Sequence, residues 1–270
     1  MTIQQQAAPH FGANEVAKMA ELIPESQRLP EIRARPFDRE RDPRSQIENL
    51  LSGPHQLEFQ RISTVLEYSK TAGMIFAEGE DANFVYTVAR GAVRICRHSP
   101  AGRRQVLALM FPGDLFGLPE HGIYVNSAEI ACPTTLYRVP WHKLRSLMIR
   151  EPTLQLHLLN RVAHDLREAQ RRILTLGQQN TYQRLASFLT DLASRQEFFD
   201  STSGLLTIPL SRFDIGDYLG TTAETVTRGI FRLEQEGLLR RASSRQIEIC
   251  DLNGLLAMQA GRRRKETQPP

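Results

Sequence analysis

Apolar residues recur at helical spacing in two short runs between Leu210 and Leu239, and Gly220 separates the two runs. This spacing puts the apolar side chains of each run on one face of a helix, which predicts two short amphipathic helices joined by a tight turn. Glycine adopts the left-handed backbone of a helix C-terminus at little cost, so Gly220 is the expected end of the first helix. The apolar positions are Ile215, Tyr218 and Leu219, then Val226, Ile230 and Leu233.

Polar residues at the start of each run are suitable helix caps. Ser211 followed three residues later by Asp214 is a capping-box sequence. Either Thr221 or Thr222 is a suitable cap for the second helix, and Glu224 would close a second capping box with Thr221. The pattern therefore predicts both helix starts but leaves the second one open between two threonines.

The polar face of the second helix carries side chains that suit the major groove of DNA. Arginine can donate to guanine O6 and N7, glutamate can accept from cytosine N4, and threonine can bond a base edge or touch a thymine methyl. The functional interpretation is a helix-turn-helix that reads base pairs; the structural alternative is helix capping and solvated charge. The residues on this face are Glu224, Thr227, Arg228, Phe231 and Gln235.

The residues after Gly237 predict strand, turn and strand over 238–250, and the sequence SGLLTIPL predicts a further strand after Gly204. A hairpin at this position would be the wing of a winged helix-turn-helix. The wing arginines Arg240, Arg241 and Arg245 are placed to contact phosphates, which position a protein on DNA without reading its sequence.

Pro140 and Pro152 predict the starts of a short helix and of a longer one. Six apolar residues of the longer helix are spaced 3, 4, 3, 4 and 3 residues apart, which is a heptad seam. The seam favours a parallel two-stranded coil and hence a homodimer; packing on the chain's own barrel is the alternative. The charged residues from Arg161 to Arg172 are expected to be solvated. The seam residues are Leu159, Val162, Leu166, Ala169, Ile173 and Leu176.

Short apolar runs separated by glycines fill residues 57–139, and Phe84, Tyr86 and Val88 alternate with their neighbours. Regular short strands with glycine turns predict a small antiparallel barrel or jelly roll. Such a barrel can enclose a small molecule, although filling by its own side chains is the default. The stretch from Arg33 to Arg44 has charges of both signs and is expected to be a solvated linker.

These elements predict an α+β chain with an N-terminal jelly-roll β-barrel, a long dimerisation helix and a C-terminal winged helix-turn-helix. The expected divisions are a polar extension at 1–55, the barrel at 56–140, the two helices at 141–178, the winged helix-turn-helix at 179–258 and a basic disordered tail at 259–270. A short helix at 14–22 is also expected within the extension.

Composition narrows the possible functions. The 270 residues include 34 basic and 30 acidic side chains, for a net charge of +4, which permits an anionic partner without demanding one. There is no run of 18 apolar residues and no signal-like N-terminus, so no membrane partner is expected and the chain is expected in the cytoplasm. No nucleophile–base arrangement, metal-ligand spacing or phosphate-binding glycine loop is present, so neither an enzyme nor a metal site is expected.

The three cysteines, Cys96, Cys132 and Cys250, lie far apart, which argues against a disulfide framework. Cys250 is a candidate redox residue because it ends the predicted wing. A buried and inert thiol is the alternative, because reactivity requires a stabilised thiolate.

The order of these parts resembles the CRP/FNR superfamily of bacterial transcription regulators over residues 57–258. The most specific piece is IPLSRFDIGDYLGTTAETVTRGIFRLEQEGLL, and GEDANFVYTVARGAVRI and RRQVLALMFPGDLFG are similar to the family's barrel strands. The residues Ala223, Glu224, Thr227 and Arg228 resemble the FNR/FixK-like branch, with threonine where that branch has serine. The cyclic-AMP-binding branch has arginine in place of Ala223 and glycine in place of Thr227.

The resemblance implies a dimeric, sequence-specific regulator, usually an activator that contacts RNA polymerase, on an inverted repeat like TTGAT-N4-ATCAA in double-stranded DNA. Arg228 would contact the guanine, Glu224 the paired cytosine or its neighbour, and Thr227 a base edge. The expected contacts to the DNA backbone come from Ser211, Arg212, Thr222, Thr225, Arg232 and Arg245.

The resemblance also implies that no cofactor is bound. In cyclic-nucleotide binders a glutamate holds the ribose and an Arg-Ser-Ala triplet holds the phosphate, whereas this chain has Leu118-Pro119 and Asn126-Ser127-Ala128 at those places. An iron–sulfur cluster is not expected, because residues 1–95 contain no cysteine. Haem is disfavoured, since His98, His121 and His142 suit surface or capping roles. The alternative function is a regulator whose barrel binds haem or another effector that is not a cyclic nucleotide.

Overall fold

The computed structural model describes residues 32–36, 59, 61–69, 73–99 and 104–261. The helix expected at 14–22, most of the linker expected up to Arg44 and the tail beyond residue 261 lie outside this part of the chain. The α+β order of β-barrel, long helix and winged helix-turn-helix is confirmed. No helix in the described part is both long enough and apolar enough to cross a bilayer.

Two antiparallel sheets form the N-terminal barrel. The five-stranded sheet has the order β1-β2-β9-β4-β7 and the four-stranded sheet the order β3-β8-β5-β6. Their facing sides bury an apolar core that includes Leu66, Val88, Ile130 and Leu136. The strands are β1 (Ile32–Pro36), β2 (Thr64–Tyr68), β3 (Met74–Phe76), β4 (Phe84–Arg90), β5 (Val93–His98), β6 (Arg104–Met110), β7 (Leu115–Phe116), β8 (Ser127–Ile130) and β9 (Thr134–Pro140).

Strand β1 corrects the expectation of a solvated linker after Arg33. Ile32–Pro36 pairs antiparallel with β2, with Ile32 opposite Tyr68 and Pro36 opposite Thr64. Backbone groups at the edge of β2 need hydrogen-bond partners whatever side chains the partner strand carries. A polar, proline-containing segment therefore joins the sheet, and the side chain of Arg33 stays exposed.

Helices α1 (Trp141–Arg150) and α2 (Pro152–Gln178) follow the barrel, and Pro152 occupies the first turn of α2 as predicted. Proline is tolerated there because the first backbone N–H groups of a helix have no intrahelical acceptor. The 27 residues of α2 extend along the barrel to the C-terminal part of the chain. The two faces of this helix differ in what covers them.

One face of α2 is the predicted apolar seam, and in the single chain it faces solvent. Leu159 is 64% exposed and Ile173 is 70% exposed. The adjoining face packs on the barrel through Arg161 and Arg172, which corrects the expectation that these two side chains are solvated. Arg167, Glu168 and Arg171 are exposed, as expected. Arg161 Nη2 lies 2.6 Å from Asp114 Oδ1, and Arg172 donates to the carbonyls of Val106 and Leu107 at 2.9 and 2.6 Å. The helix therefore packs on its own barrel and still leaves the seam uncovered.

The C-terminal part combines four helices with a small four-stranded sheet of order β10-β11-β13-β12. Its buried core includes Leu189, Leu206, Ile215 and Leu233, and Phe111 of the barrel joins the same cluster. The elements are α3 (Thr181–Ala193), β10 (Phe199–Asp200), β11 (Leu205–Thr207), α4 (Arg212–Leu219), α5 (Ala223–Gln235), β12 (Leu239–Arg241), β13 (Gln246–Ile249) and α6 (Leu252–Gln259). The predicted wing is the hairpin of β12 and β13.

Candidate DNA interface

Helix α4 starts and ends as the sequence predicts. The Ser211 hydroxyl accepts from the Asp214 backbone N–H, and the Asp214 carboxylate accepts from the Ser211 backbone N–H, which completes the capping box. Gly220 has φ 65° and ψ 42°, the left-handed conformation that ends the helix. The turn that follows brings α5 against α4.

Thr222, rather than Thr221, caps α5, and its hydroxyl accepts from the backbone N–H of Thr225. Val226, Gly229, Ile230 and Leu233 are buried against the rest of the C-terminal part. A side chain at Gly229 would have its Cβ 2.6 Å from Leu185 of α3, so glycine permits this close packing. The opposite face of α5 is left open to solvent.

The three predicted base-reading residues lie together on that open face. Glu224 and Arg228 have 78% and 64% of their side chains exposed, and Glu224 Oε1 lies 3.7 Å from Arg228 Nη1. Arg228 also donates to the Thr225 hydroxyl at 3.3 Å, and the Thr227 hydroxyl donates to the Ala223 carbonyl at 2.9 Å. Exposed pairs of this kind are weak, at about 0.3–0.5 kcal/mol, so these groups can exchange their partners for base edges.

The residues expected to contact the DNA backbone differ in accessibility. The Ser211 hydroxyl donates to Asp214 at 2.6 Å and belongs to the helix cap. Arg212 is half-buried beneath the wing, where it donates to the Ser244 carbonyl, and burial lowers the pKa of its guanidinium. The hydroxyls of Thr222 and Thr225 lie 2.9 Å apart at the start of α5, beside the open face.

Several arginines near the open face have partners within the chain. Arg232 pairs with Glu236 at 2.9 Å and lies over the Tyr182 ring of α3 at 4.6 Å. In the wing, Arg240 pairs with Glu248 and Arg241 pairs with Glu234, so the sequence prediction of three phosphate-contacting wing arginines overlooked these carboxylates. Arg245 at the wing tip is exposed and forms no salt bridge with a described residue.

A buried charge cluster attaches α4 to the four-stranded sheet of the barrel, and the sequence patterns did not reveal it. Arg94 contacts Asp214 of α4, and Arg104 contacts Asp214 at 3.0 Å and Asp217 at 2.7 Å. Glu129 of β8 lies 3.1 Å from Arg94 and 3.3 Å from Arg104. These five residues, termed the interdomain charge cluster, join segments about 110–120 positions apart, so no local spacing could have indicated them.

Asp214 is the most deeply buried member of the interdomain charge cluster, with 3% of its side chain exposed. Burial alone would raise the pKa of this carboxyl, but the hydrogen bond from Ser211 and the nearby Arg94 together hold the pKa below its ordinary value of 3.8. The carboxylate therefore stays ionised in the folded chain while it caps α4 and pairs with two arginines.

Aromatic rings fill the interior of the barrel. The Phe76 and Tyr124 rings stack with centroids 3.7 Å apart, and Tyr86 and Phe116 lie 5.4 Å apart. The Tyr124 hydroxyl donates to the Phe84 carbonyl at 2.7 Å. These side chains occupy the space between the sheets in the described part of the barrel.

The residues of the family's nucleotide-binding turns have structural partners here. Asp114 accepts from the Phe111 backbone N–H at 2.8 Å and from Arg161, and the Ser127 hydroxyl accepts from the Glu78 backbone N–H at 3.0 Å. His98 lies 3.4 Å from Glu129, whereas His121 and His142 are exposed elsewhere on the surface.

The cysteines differ in exposure. Cys96 and Cys132 are buried, and burial raises the pKa of both thiols, which disfavours the reactive thiolate. Cys250 is exposed, so the expectation of a buried thiol at this position was wrong. It follows the last residue of β13, an inner strand of the small sheet, and its Sγ lies 3.8 Å from the Glu248 carbonyl oxygen.

Two stretches of the chain match known families. Residues 183–258 match the Crp-like helix-turn-helix domain, and residues 67–151 match the cyclic nucleotide-binding domain. The chain is 37% identical over 182 residues to the nitrogen fixation regulation protein FixK of Azorhizobium caulinodans. The matched region covers 67% of this chain and 73% of that protein. Against the FixK of Rhizobium meliloti, 184 residues are 35% identical, covering 68% of this chain and 82% of that protein.

The solved structure of FixK2 from Bradyrhizobium japonicum has a TM-score of 0.68 and 34% identity, covering 73% of this chain and 97% of that one. A barrel, a long helix and a capped helix-turn-helix with an exposed Glu–Thr–Arg face define the class of winged-helix regulators. Within that class, the chain belongs to the CRP/FNR superfamily of bacterial transcription regulators and is FixK-like.

Asp214→Asn is expected to lower the free energy of unfolding by about 3 kcal/mol at pH 7, because it removes the buried negative charge that Arg94 and Arg104 share and Glu129 then offsets only part of their charge. The measurement is urea denaturation. Because the folded pKa of Asp214 is depressed, its stabilisation is complete above the ordinary pKa and is lost as the pH falls through the folded value. The difference between the two proteins should therefore shrink below about pH 4.

The matched control is Asp217→Asn, whose side chain is 34% exposed and whose salt-bridge partner among the described residues is Arg104. This change should cost less than about 1 kcal/mol. Equal losses for the two variants would contradict a special role for the buried carboxylate.

Proposed function

We propose that this chain is a dimeric, sequence-specific DNA-binding regulator that activates transcription. The observation that carries the proposal is the open face of α5, where Glu224, Thr227 and Arg228 are exposed together while the other face is buried. A capped helix that hides its apolar side and shows these three residues suits the major groove.

The proposed target is an inverted repeat like TTGAT-N4-ATCAA. Arg228 would donate to guanine O6 and N7, and Glu224 would accept from the paired cytosine or a neighbouring base. Their present contacts are long and exposed, at 3.7 Å between Glu224 and Arg228, so reorganisation on binding costs little. The Thr227 methyl and hydroxyl would touch an adjacent base edge.

Backbone contacts would come from the exposed groups around this face. Arg245 at the wing tip is the wing arginine best placed to meet a phosphate, because Arg240 and Arg241 already have carboxylate partners. Thr222 and Thr225 lie at the N-terminus of α5, where helix N–H groups also favour phosphate. Ser211, Arg212 and Arg232 would each have to leave a partner within the chain to contact DNA.

Arg228→Ala should weaken binding to the specific site by about 1–3 kcal/mol and flatten discrimination at one base pair, because one bidentate guanine contact is lost. The measurement is a fluorescence anisotropy titration against the repeat and its single-base variants. Arg245→Ala is the comparison, which should weaken all sequences alike and lower the salt dependence by about one unit. An equal loss on random DNA for Arg228→Ala would make it a phosphate contact only.

We propose that the seam of α2 holds two chains together. Its apolar side chains are exposed in the single chain, with Leu166 at 59% and Val162 at 47%. The heptad spacing matches that of a parallel two-stranded coil, which buries such residues between two helices. A two-fold dimer would present two copies of α5 to the two halves of the inverted repeat.

Val162→Asp combined with Ala169→Asp should give monomers in sedimentation equilibrium at concentrations where the unchanged chain is a dimer. Like charges would then face each other across the seam. The matched control places aspartate at Asn160 and Leu174, which are exposed on the outer side of the same helix. A dimer that persists with both seam aspartates would rule out this seam.

We propose that the barrel binds neither a cyclic nucleotide nor haem, and that the chain carries no iron–sulfur cluster. The support is the stacked rings inside the barrel, the structural roles of Asp114 and Ser127, and the lack of the family's ribose and phosphate ligands at Leu118 and Asn126. A buried phosphate without a cation would be poorly compensated. Regulation would then follow the abundance of the protein, which would act on the chromosome together with RNA polymerase in the cytoplasm.

Isothermal titration with cyclic AMP and with cyclic GMP should give no binding heat. A control titration with the specific DNA duplex checks that the same preparation is active. A saturable signal with either nucleotide would overturn the proposed absence of an effector.

A further inference from the structure

Phe231 lies on the open face of α5, on the C-terminal side of Arg228. It follows Arg228 by three positions and Glu224 by seven, so the three side chains share one side of the helix. The residue is 50% exposed, although the buried side of the same helix is well packed. The axial distance from Glu224 to Phe231 is about 10 Å at the rise of an α-helix. A major groove about 12 Å wide can accommodate both ends of this span.

The wing limits the freedom of the Phe231 side chain. The guanidinium carbon of Arg241 lies 5.7 Å from the centre of the ring. Glu234 in turn holds Arg241 twice, through its Nε at 2.7 Å and its backbone N–H at 3.0 Å. A cation over an exposed ring contributes only about 0.5–1 kcal/mol, but it keeps the ring beside the wing and facing outward. The ring is therefore partly ordered before any partner arrives.

The groups that bases expose in the major groove limit which of them the Phe231 ring can contact favourably. Base edges there present hydrogen-bond donors and acceptors, and the C5-methyl of thymine is the apolar group among them. A phenyl ring has no hydrogen bond to offer a base but gains from covering a methyl group. Arg228 and Glu224, on the same face, supply the polar contacts to neighbouring bases.

We propose that Phe231 packs against the methyl group of one thymine in each half-site, and so is a further specificity-determining residue. This inference rests on the proposed DNA-binding function. Burial of one methyl group is worth about fourfold in affinity, from about 0.8 kcal/mol per carbon group. Phe231 would thus distinguish thymine from a base that has the same hydrogen-bonding edge but no methyl group.

Deoxyuridine tests this contact, because it differs from thymine only by that methyl. A site is first selected from random duplexes with the unchanged protein, and each thymine is then replaced singly by deoxyuridine. We expect one position in each half-site where the replacement weakens binding about fourfold, and about sixteenfold when both half-sites carry it. Phe231→Ala should bind thymine and deoxyuridine equally at that position and respond as before at the others.

Phe213→Ala is the matched control, because Phe213 of α4 is 73% exposed and belongs to the other helix of the pair. It should keep the full response to deoxyuridine. Phe231→Leu, which keeps an apolar side chain, should keep part of the response. Circular dichroism establishes that all three variants are folded.

The outcomes separate the two proposals. If the unchanged protein selects no sequence, the DNA-reading proposal fails and this inference fails with it. If it selects a site but no thymine responds to loss of its methyl, or the response survives in Phe231→Ala, the inference alone is overturned. A uniform loss for Phe231→Ala on every duplex would assign the ring to the sugar–phosphate backbone and would also overturn it.

Discussion

The contact between Arg94 and Asp214 governs how the two halves of this molecule fit together. A buried carboxylate at the start of α4 faces two arginines of the barrel, and these arginines offset the cost of burying its charge. The same carboxylate closes the capping box on Ser211. The Asp214 side chain therefore caps the N-terminus of α4 and also attaches this helix to the barrel. The position of the recognition face on α5 depends on this contact, because α4 packs directly on α5.

The long helix adds a second attachment between the same parts. Arg172 reaches from α2 to the carbonyls of β6, donates to the Tyr218 carbonyl in α4 at 2.6 Å, and lies 3.7 Å over the Tyr218 ring. Burial lowers the pKa of this arginine, but the carbonyl oxygens still hold its guanidinium. The face of α2 that carries Arg172 is thus used within the chain, while the seam beside it stays free. Because the two sets of contacts use different faces, α2 can pack on its own barrel while the seam remains available for a second copy of the chain.

Features that depend on neighbours in sequence were predictable. The capping box at Ser211, the left-handed Gly220 and the buried face of α5 follow from local spacing, because helix periodicity and capping involve residues within four or five positions. The alternation of apolar residues likewise predicted a barrel. The family resemblance indicated the candidate base-contacting residues, and the structure places these residues together on one open face.

Features that depend on distant partners were missed for a physical reason. A charged residue reads as solvated until its partner is known, so Arg161 and Arg172 were expected to be solvated although a carboxylate or carbonyls hold them. Arg240 and Arg241 were expected to contact phosphates, although each pairs with a carboxylate within the chain. The strand at Ile32–Pro36 pairs through its backbone, which no side-chain pattern records. For Cys250 a buried, inert thiol was expected because reactivity requires a stabilised thiolate, but the structure leaves this residue exposed after the last strand.

The double use of Asp214 has a consequence for how the molecule can be divided. A fragment that begins at α3 would keep Ser211 and the carboxylate but leave Arg94 and Arg104 behind, so the cap would lose the cations that offset its desolvation. Such a fragment would have its weakest point at the first turn of the helix that supports the recognition helix. The helix-turn-helix part therefore depends on residues of the barrel for part of its stability, although the two are separate in sequence.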